Sequence, residues 1–188
     1  MKIGKEVASS FKFLRENRRY LAVIIGLFLV SIEIGYLFPN FFSDIIQRFI
    51  EDTVAKTRGL GFWSLFLFIL KNNITTALIG TLFGLLFGIV PLFFAFFNGY
   101  VLGFVMNKAV DSAGAGVLWR LVPHGIFEIP ALVISLGLGL RLGMFFIFSR
   151  NRDFGKEIKR IFKTFLIIVV PLLLIAALIE TSLMIFLS

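Results

Sequence analysis

The sequence predicts an all-α fold, a polytopic bundle of about five transmembrane helices preceded by an amphipathic N-terminal helix. Of the 188 residues, 59% are hydrophobic and only 16% are charged, whereas roughly a quarter of the residues in a soluble domain are charged. Several apolar runs reach the roughly 20 residues that a helix needs to cross a bilayer. We therefore expect residues 1–188 to form one integral membrane domain in contact with the lipid bilayer.

The distribution of charge predicts the orientation of this domain. Residues 1–19 and 150–163 each hold six basic and two acidic residues, and together they account for the whole net charge of +8. Segments rich in Lys and Arg stay on the cytoplasmic side of a membrane. We therefore expect a multi-pass protein of the cell membrane with its N-terminus in the cytoplasm and its C-terminus outside. Because these segments flank membrane spans, the positive charge does not indicate nucleic acid as a partner.

The segments outside the spans are predicted to lie along the two membrane surfaces. Residues 1–19 place apolar residues at helical spacing between basic ones, which predicts an amphipathic helix on the cytoplasmic surface. Residues 40–61 mix apolar residues with balanced charges, which predicts a short interfacial helix on the outer surface.

Proline and charged residues set the bounds of five predicted spans. Pro39 ends the first span, Pro91 marks a tight turn between the second and third, and Pro123 takes the favoured first helical position of the fourth. The basic segment 150–163 precedes the fifth span. Phe62–Leu70 lies either at the outer interface or within the second span. The predicted spans are residues 20–38, 73–90, 92–110, 123–148 and 161–186.

Small residues recur every four positions on three of the spans. Such stripes let helix backbones approach closely, which drives helix packing in lipid. We expect tight packing within the bundle, with homo-oligomerisation or a lined pore as the alternative. The residues are Gly80, Gly84 and Gly88 on the second span, Gly99 and Gly103 on the third, and Ser135, Gly139 and Gly143 on the fourth.

Polar and ionisable residues mark one layer of the predicted bundle. A charged side chain inside a bilayer costs about 2.5 kcal/mol or more, so such residues usually have a function or a partner. His124, the only histidine, and Glu128 lie one helical turn apart at the outer start of the fourth span. The layer has two interpretations. It is either a small polar chamber open to the outside, or a set of groups that lie at the headgroup level or bond one another. The candidate residues are Glu33, Asn72, Asn73, Asn98, His124, Glu128 and Glu180.

The sequence lacks the signatures of common enzyme classes. It has no cysteine and one histidine, which excludes thiolate chemistry and multi-histidine metal sites. It also lacks a P-loop and a Gly-x-Ser-x-Gly elbow. We expect no catalytic residues, no metal and no cofactor, although His124 and Glu128 could supply two ligands of a metal site. The absence of cysteine and the single glutamine, Gln47, are typical of thermophilic proteins.

Residues 62–150 resemble the stage II sporulation protein M family of integral membrane proteins. The resemblance lies in Asn72-Asn73, in Asn98-Gly99-Tyr100-Val101-Leu102-Gly103-Phe104 and in Pro123-His124-Gly125-Ile126-Phe127-Glu128-Ile129-Pro130. It implies a helical membrane fold. Family members in endospore-forming bacteria act as membrane scaffolds for cell-wall hydrolases. This chain is similar to a wider archaeal and bacterial branch with a Pro-His-Gly-x-x-Glu motif, and the resemblance supplies no catalytic residues.

Two functions remain open from the sequence. The first is a non-enzymatic scaffold that docks other membrane or envelope proteins through its outer face and its basic cytoplasmic segments. The second is a small transporter or channel that moves a proton, an ion or a small solute through the outer polar layer. We favour the scaffold because the inner halves of the spans beyond Asn98 offer little but glycine and phenylalanine.

Overall fold

Helices make up nearly all of the structure, a computed structural model that describes residues 2–148 and 153–186, and these ranges contain no strand. Five helical stretches among them are long and apolar enough to cross a membrane, which confirms the predicted all-α bundle. Short 3₁₀ segments cover Phe83–Leu85 and Ala115–Leu121, and a π-helical segment, Phe165–Val169, joins the last two helices. The helices are α1 (Lys2–Glu16), α2 (Arg18–Leu37), α3 (Ser43–Thr57), α4 (Phe62–Leu82), α5 (Ile89–Ala113), α6 (Val122–Phe148), α7 (Phe154–Thr164) and α8 (Val170–Phe186).

The helix of the second candidate span begins earlier than the predicted residue 73. α4 starts at Phe62 and continues through Asn72 and Asn73, so Phe62–Leu70 belongs to the second span. A helix satisfies its own backbone hydrogen bonds, so polar side chains within it need not end it. The last helical stretch runs without a break from α7 through α8, and the predicted fifth span, residues 161–186, lies within it. The other predicted spans agree with α2, α5 and α6 to within a few residues.

α2 and α5 pack side by side with their backbones almost in contact. A Cβ atom added at Gly99 would lie 2.6 Å from the carbonyl oxygen of Phe28, and one at Gly103 would overlap the carbonyl oxygen of Ile32. The Tyr100 hydroxyl donates a 2.6 Å hydrogen bond to the carbonyl oxygen of Phe38, just beyond the end of α2. α2 and α5 can approach this closely only because Gly99 and Gly103 carry no side chain.

α4 and the 3₁₀ segment that follows it, which contains Gly84, interlock with α6 in the same way. A Cβ atom on Gly84 would overlap the backbone of Gly139, and one on Gly139 would overlap the carbonyl oxygen of Gly80. The Thr81 hydroxyl also donates to the carbonyl oxygen of Ser135 across this interface, at 2.9 Å. The predicted glycine stripes of α4 and α6 therefore face each other.

The bundle has two chemically different ends. At one end, here called the basic end, α1 packs against α7. At the other, the distal end, the ring of Phe62 at the start of α4 contacts that of Phe186 at the end of α8. α3 connects α2 to α4 at the distal end, where it buries Ile46 completely against Tyr100. α3 lies where the sequence predicts a short helix, within residues 40–61; its place at the outer surface stays a prediction.

Candidate functional site

A polar cavity of about 180 Å³ lies within the bundle, where α4, α5, α6 and α8 meet beside α3. Four of the polar residues singled out in the sequence line this cavity, although they come from three different helices. Its lining consists of Phe49, Asn72, Asn73, Thr76, Ala77, Asn98, Glu128, Leu132 and Leu173.

Helical spacing explains how α4 presents several polar groups to the cavity. Asn72, Asn73 and Thr76 fall within one turn of α4, because residues three and four positions apart share a helix face. The Nδ2 atom of Asn73 is buried and has no hydrogen-bond partner among the described residues. On α5, the side-chain amide N–H of Asn98 donates a 2.8 Å hydrogen bond to the carbonyl oxygen of Phe94. The side-chain oxygen of Asn98 therefore stays available as an acceptor.

Two glutamates of the predicted polar layer differ in their relation to the cavity. Glu128 on α6 lines it, whereas Glu180 on α8 is not part of the lining. Both side chains are half-buried. Neither forms an ion pair with any side chain that the structure describes. A negative charge inside a membrane domain is costly unless a positive charge or a proton compensates it.

Besides Glu180, two predicted members of the polar layer do not contribute a described side chain to the cavity. Glu33 on α2 is exposed and is not part of the lining. His124 belongs to α6, one turn before Glu128, but its side chain lies outside the described part of the structure. A contact between His124 and Glu128 therefore stays a prediction.

The cavity lies deeper in the bundle than the sequence interpretation placed the polar layer. Asn72 and Asn73 are near the middle of α4, because that helix begins at Phe62. Towards the basic end, the floor consists of apolar residues such as Ala77 and Leu173, both almost fully buried. Below this floor the bond between Thr81 and Ser135 and the interlocked glycines join α4 to α6. The cavity is thus closed towards the basic end.

Sequence reasoning missed the other five residues of the cavity lining, of which Thr76 is polar. Thr76 follows Asn72 by one helical turn, so helical spacing from the asparagines could have identified it. Phe49 comes from α3, and no local pattern links this helix to a cavity in the membrane domain. Within the part of the chain that the structure describes, no group of three or more His, Cys, Asp or Glu residues could hold a metal ion.

At the basic end, ion pairs join two segments that are distant in the sequence. Arg160 of α7 pairs with Glu16 of α1 at 2.9 Å, and Lys163 pairs with Glu6. The Arg160 guanidinium also lies 4.4 Å from the centre of the Phe13 ring. Several other basic side chains of α1 and α7 are exposed. We call this surface the basic platform; its exposed cations include Lys5, Lys12, Arg15 and Lys159.

The bundle, its glycine-packed interfaces and its internal cavity define a polytopic α-helical membrane protein. The chain belongs to the family described as stage II sporulation protein M, whose model matches residues 23–183. It is also 27% identical over 143 residues to an uncharacterized protein of Methanocaldococcus jannaschii. That match covers 73% of this chain and 62% of the relative, so this chain spans less than two thirds of the relative's length. No solved structure matches the chain.

Proposed function

We propose that this protein is a non-enzymatic scaffold of the cell membrane that holds a partner protein on its basic platform. The observation that carries the proposal is the joining of α1 and α7 by ion pairs into one charged surface on a glycine-packed bundle. A scaffold needs a surface of fixed geometry on a rigid support, and both are present at the basic end.

The charges of the basic platform favour a partner with an acidic surface. Its acidic residues Glu6 and Glu16 are already engaged with lysine and arginine of α7. Several cations are left over and exposed, so the platform presents a net positive potential. Complementary charge steers association and selects against wrong partners. A membrane-associated or envelope protein with an acidic cytoplasmic segment therefore suits this surface.

The orientation proposed for the scaffold places the basic platform in the cytoplasm, with the C-terminus outside. The positive-inside rule supports it, because residues 1–19 and 150–163 hold the whole net positive charge and their helices lie at one end of the bundle. The described residues contain five candidate spans, and an odd number of spans puts the two ends of the chain on opposite sides of a membrane.

A transporter or channel is the alternative that the polar cavity favours. A conduit requires a polar path to both ends of the bundle. The apolar floor of the cavity and the interlocked backbones of Gly84 and Gly139 argue against such a path towards the basic end. For this reason the scaffold is the better-supported function.

Site-specific photo-crosslinking in living cells tests the scaffold. A benzophenone amino acid replaces Lys12 on the basic platform or, as the matched control, Val23, which is exposed on the membrane-facing side of α2. We expect one discrete protein adduct from position 12 and not from position 23. The partner in that adduct, identified by mass spectrometry and tagged in turn, should capture this chain. The absence of a protein adduct at position 12, or identical adducts at both positions, would refute the proposal.

A further inference from the structure

We propose that a cleft between α3 and α5 binds a membrane phospholipid whose headgroup carries both a phosphate and a primary ammonium group, as in phosphatidylethanolamine. The cleft has a volume of about 490 Å³, within the range of about 300–1,000 Å³ that is typical of small-molecule sites. It lies at the distal end of the bundle and shares no lining residue with the polar cavity. The proposal therefore does not depend on the scaffold role of the basic platform.

The cleft has a polar rim and an apolar interior. The polar side chains of its lining are all exposed, and they are Gln47 and Glu51 of α3 and Lys108 and Ser112 of α5. The apolar side chains of the lining are half-buried or buried, and they are Ile50, Phe104, Val105 and Ala109. A wholly polar ligand would leave this interior uncovered, so the cleft suits an amphipathic ligand.

The cleft lies at the level of the lipid headgroups. α5 has 25 residues and is therefore about 38 Å long, whereas the hydrocarbon core of a bilayer is about 30 Å thick. The last turns of α5 thus reach the headgroup region. Lys108 is five residues before the end of this helix at Ala113, and a lysine at such a depth can extend its ammonium group to the phosphates.

The two walls of the cleft carry opposite charges. Glu51 belongs to the α3 wall and Lys108 to the α5 wall, and neither forms an ion pair among residues 2–148 and 153–186. A headgroup that carries a phosphate and an ammonium group compensates both side chains. A headgroup with a phosphate alone would leave the Glu51 carboxylate without a cation and would be repelled by it.

The hydrogen-bonding groups of the rim suit the same headgroup. The ammonium group of Lys108 and the side-chain amide of Gln47 can donate to phosphate oxygens. The Ser112 hydroxyl already donates a 3.1 Å hydrogen bond to the carbonyl oxygen of Ala109, so its own oxygen is left as an acceptor. This oxygen and the Glu51 carboxylate can accept hydrogen bonds from a primary ammonium group.

The aromatic content of the cleft argues against a choline headgroup. A quaternary ammonium group donates no hydrogen bond and is recognised by cages of several aromatic rings. Phe104 is the only aromatic residue in the described lining, and it is buried. The Lys108 ammonium also lies 5.7 Å from the centre of its ring. The cleft therefore favours a primary ammonium group.

Native mass spectrometry of the purified full-length protein in detergent tests the proposal. The probes are dioleoyl phosphatidylethanolamine, phosphatidylcholine and phosphatidylglycerol, and we expect phosphatidylethanolamine to bind most tightly. Glu51→Gln and Lys108→Gln should each weaken its binding about tenfold, the factor that one hydrogen bond to a charged group contributes. The matched controls Asp52→Asn and Lys56→Gln remove exposed charges of α3 outside the lining and should bind like the unmodified protein.

A variant without a change of charge tests the apolar interior. Ala109→Phe fills this part of the cleft and should weaken the binding of phosphatidylethanolamine. The control is Ala55→Phe, at an exposed position of α3 outside the lining, which should leave the binding unchanged. Free O-phosphorylethanolamine should not displace the lipid, because the free headgroup does not cover the interior.

Three results would overturn the proposal. The first is equal affinity for the three lipids. The second is the same phosphatidylethanolamine affinity in Glu51→Gln, Lys108→Gln and the unmodified protein, which is also expected if the two side chains pair with each other and close the cleft. The third is displacement of the lipid by an equal concentration of O-phosphorylethanolamine, which would assign the cleft to a soluble ligand.

Discussion

The Nε atom of Arg141 donates a 2.7 Å hydrogen bond to the Oε1 atom of Glu157, and the two side chains are only 12% and 7% exposed. This ion pair ties the last turns of α6 to α7. The Arg141 guanidinium also lies 5.8 Å from the centre of the Tyr20 ring at the start of α2. Three helices of the membrane domain therefore meet at one buried arginine beside the basic platform.

Breaking this pair should destabilise the protein strongly. Arg141→Met leaves the buried Glu157 carboxylate without its cation, and removing one partner of a buried pair typically costs about 3–5 kcal/mol. The matched control is Lys156→Gln, which breaks the pair of Lys156 with Asp153, whose side chains are 82% and 54% exposed; an exposed pair contributes about 0–1 kcal/mol. The measurement is the free energy of unfolding in detergent. Equal losses in the two variants would show that the Arg141–Glu157 pair is not important for stability.

A bulky residue at Gly84 should damage helix packing. Gly84→Leu forces the backbone of α6 at Gly139 away from α4, and overpacking of this kind typically costs about 1–3 kcal/mol. Leu85→Ala is the neighbouring control, because Leu85 is exposed. Thermal unfolding in detergent should show a clearly larger loss for Gly84→Leu. Comparable Tm values would mean that the glycine stripe of α4 does not pack against α6.

The cap of α7 should make stability depend on pH. The Lys156 side chain and the Lys156 backbone N–H both donate to Asp153, which lowers the pKa of this exposed carboxyl below its ordinary value. Because the pKa is lowered, the carboxylate stabilises the folded state at any pH above its ordinary, unfolded pKa. This stabilisation is lost as the pH falls through the pKa of the folded state. The Tm of Asp153→Asn should therefore be below that of the unmodified protein at neutral pH and converge with it in acid. A difference that is constant with pH would exclude this role of the charge.

The proposed orientation predicts which positions are accessible from outside the cell. The chain has no cysteine, so Ala8→Cys in α1 and Ser112→Cys at the end of α5 each create a single reporter on an exposed residue. A membrane-impermeant thiol reagent added to intact cells should label position 112 and spare position 8. In permeabilised cells both should react. Labelling of position 8 alone in intact cells would reverse the orientation and place the basic platform outside.

The sequence predicts the fold well because the length of an apolar run and the position of proline are local properties. α2, α5 and α6 agree with their predicted spans for this reason. The start of α4 is harder to predict, because the polar triplet Lys71-Asn72-Asn73 also suits the boundary of a span when the neighbouring helices are unknown. In the bundle, its two asparagines face a cavity formed with other helices, and the helix continues through them.

The contacts that build the candidate surfaces depend on distant residues. Glu16 and Arg160 are 144 positions apart, and no local pattern pairs them. A lone arginine near the end of a span, such as Arg141, can also extend its side chain to the membrane surface. Its pairing with Glu157 therefore cannot be predicted from the sequence. The polar residues of the cavity could be identified, since each is unusual in an apolar run. The depth of these polar residues in the bundle could not be predicted, because it depends on where α4 begins.

The scaffold proposal is tested most directly by asking which part of the molecule the partner needs. The photo-crosslinked adduct at position 12 is quantified in two variants of the full chain. The first, Arg15→Glu with Lys159→Glu, reverses two exposed charges on the basic platform; the second is Glu128→Gln in the cavity. We predict that the charge reversal abolishes the adduct and that Glu128→Gln retains it at the level of the unmodified protein. An adduct that survives the charge reversal, or that is lost with Glu128→Gln, would contradict a partner site on the basic platform.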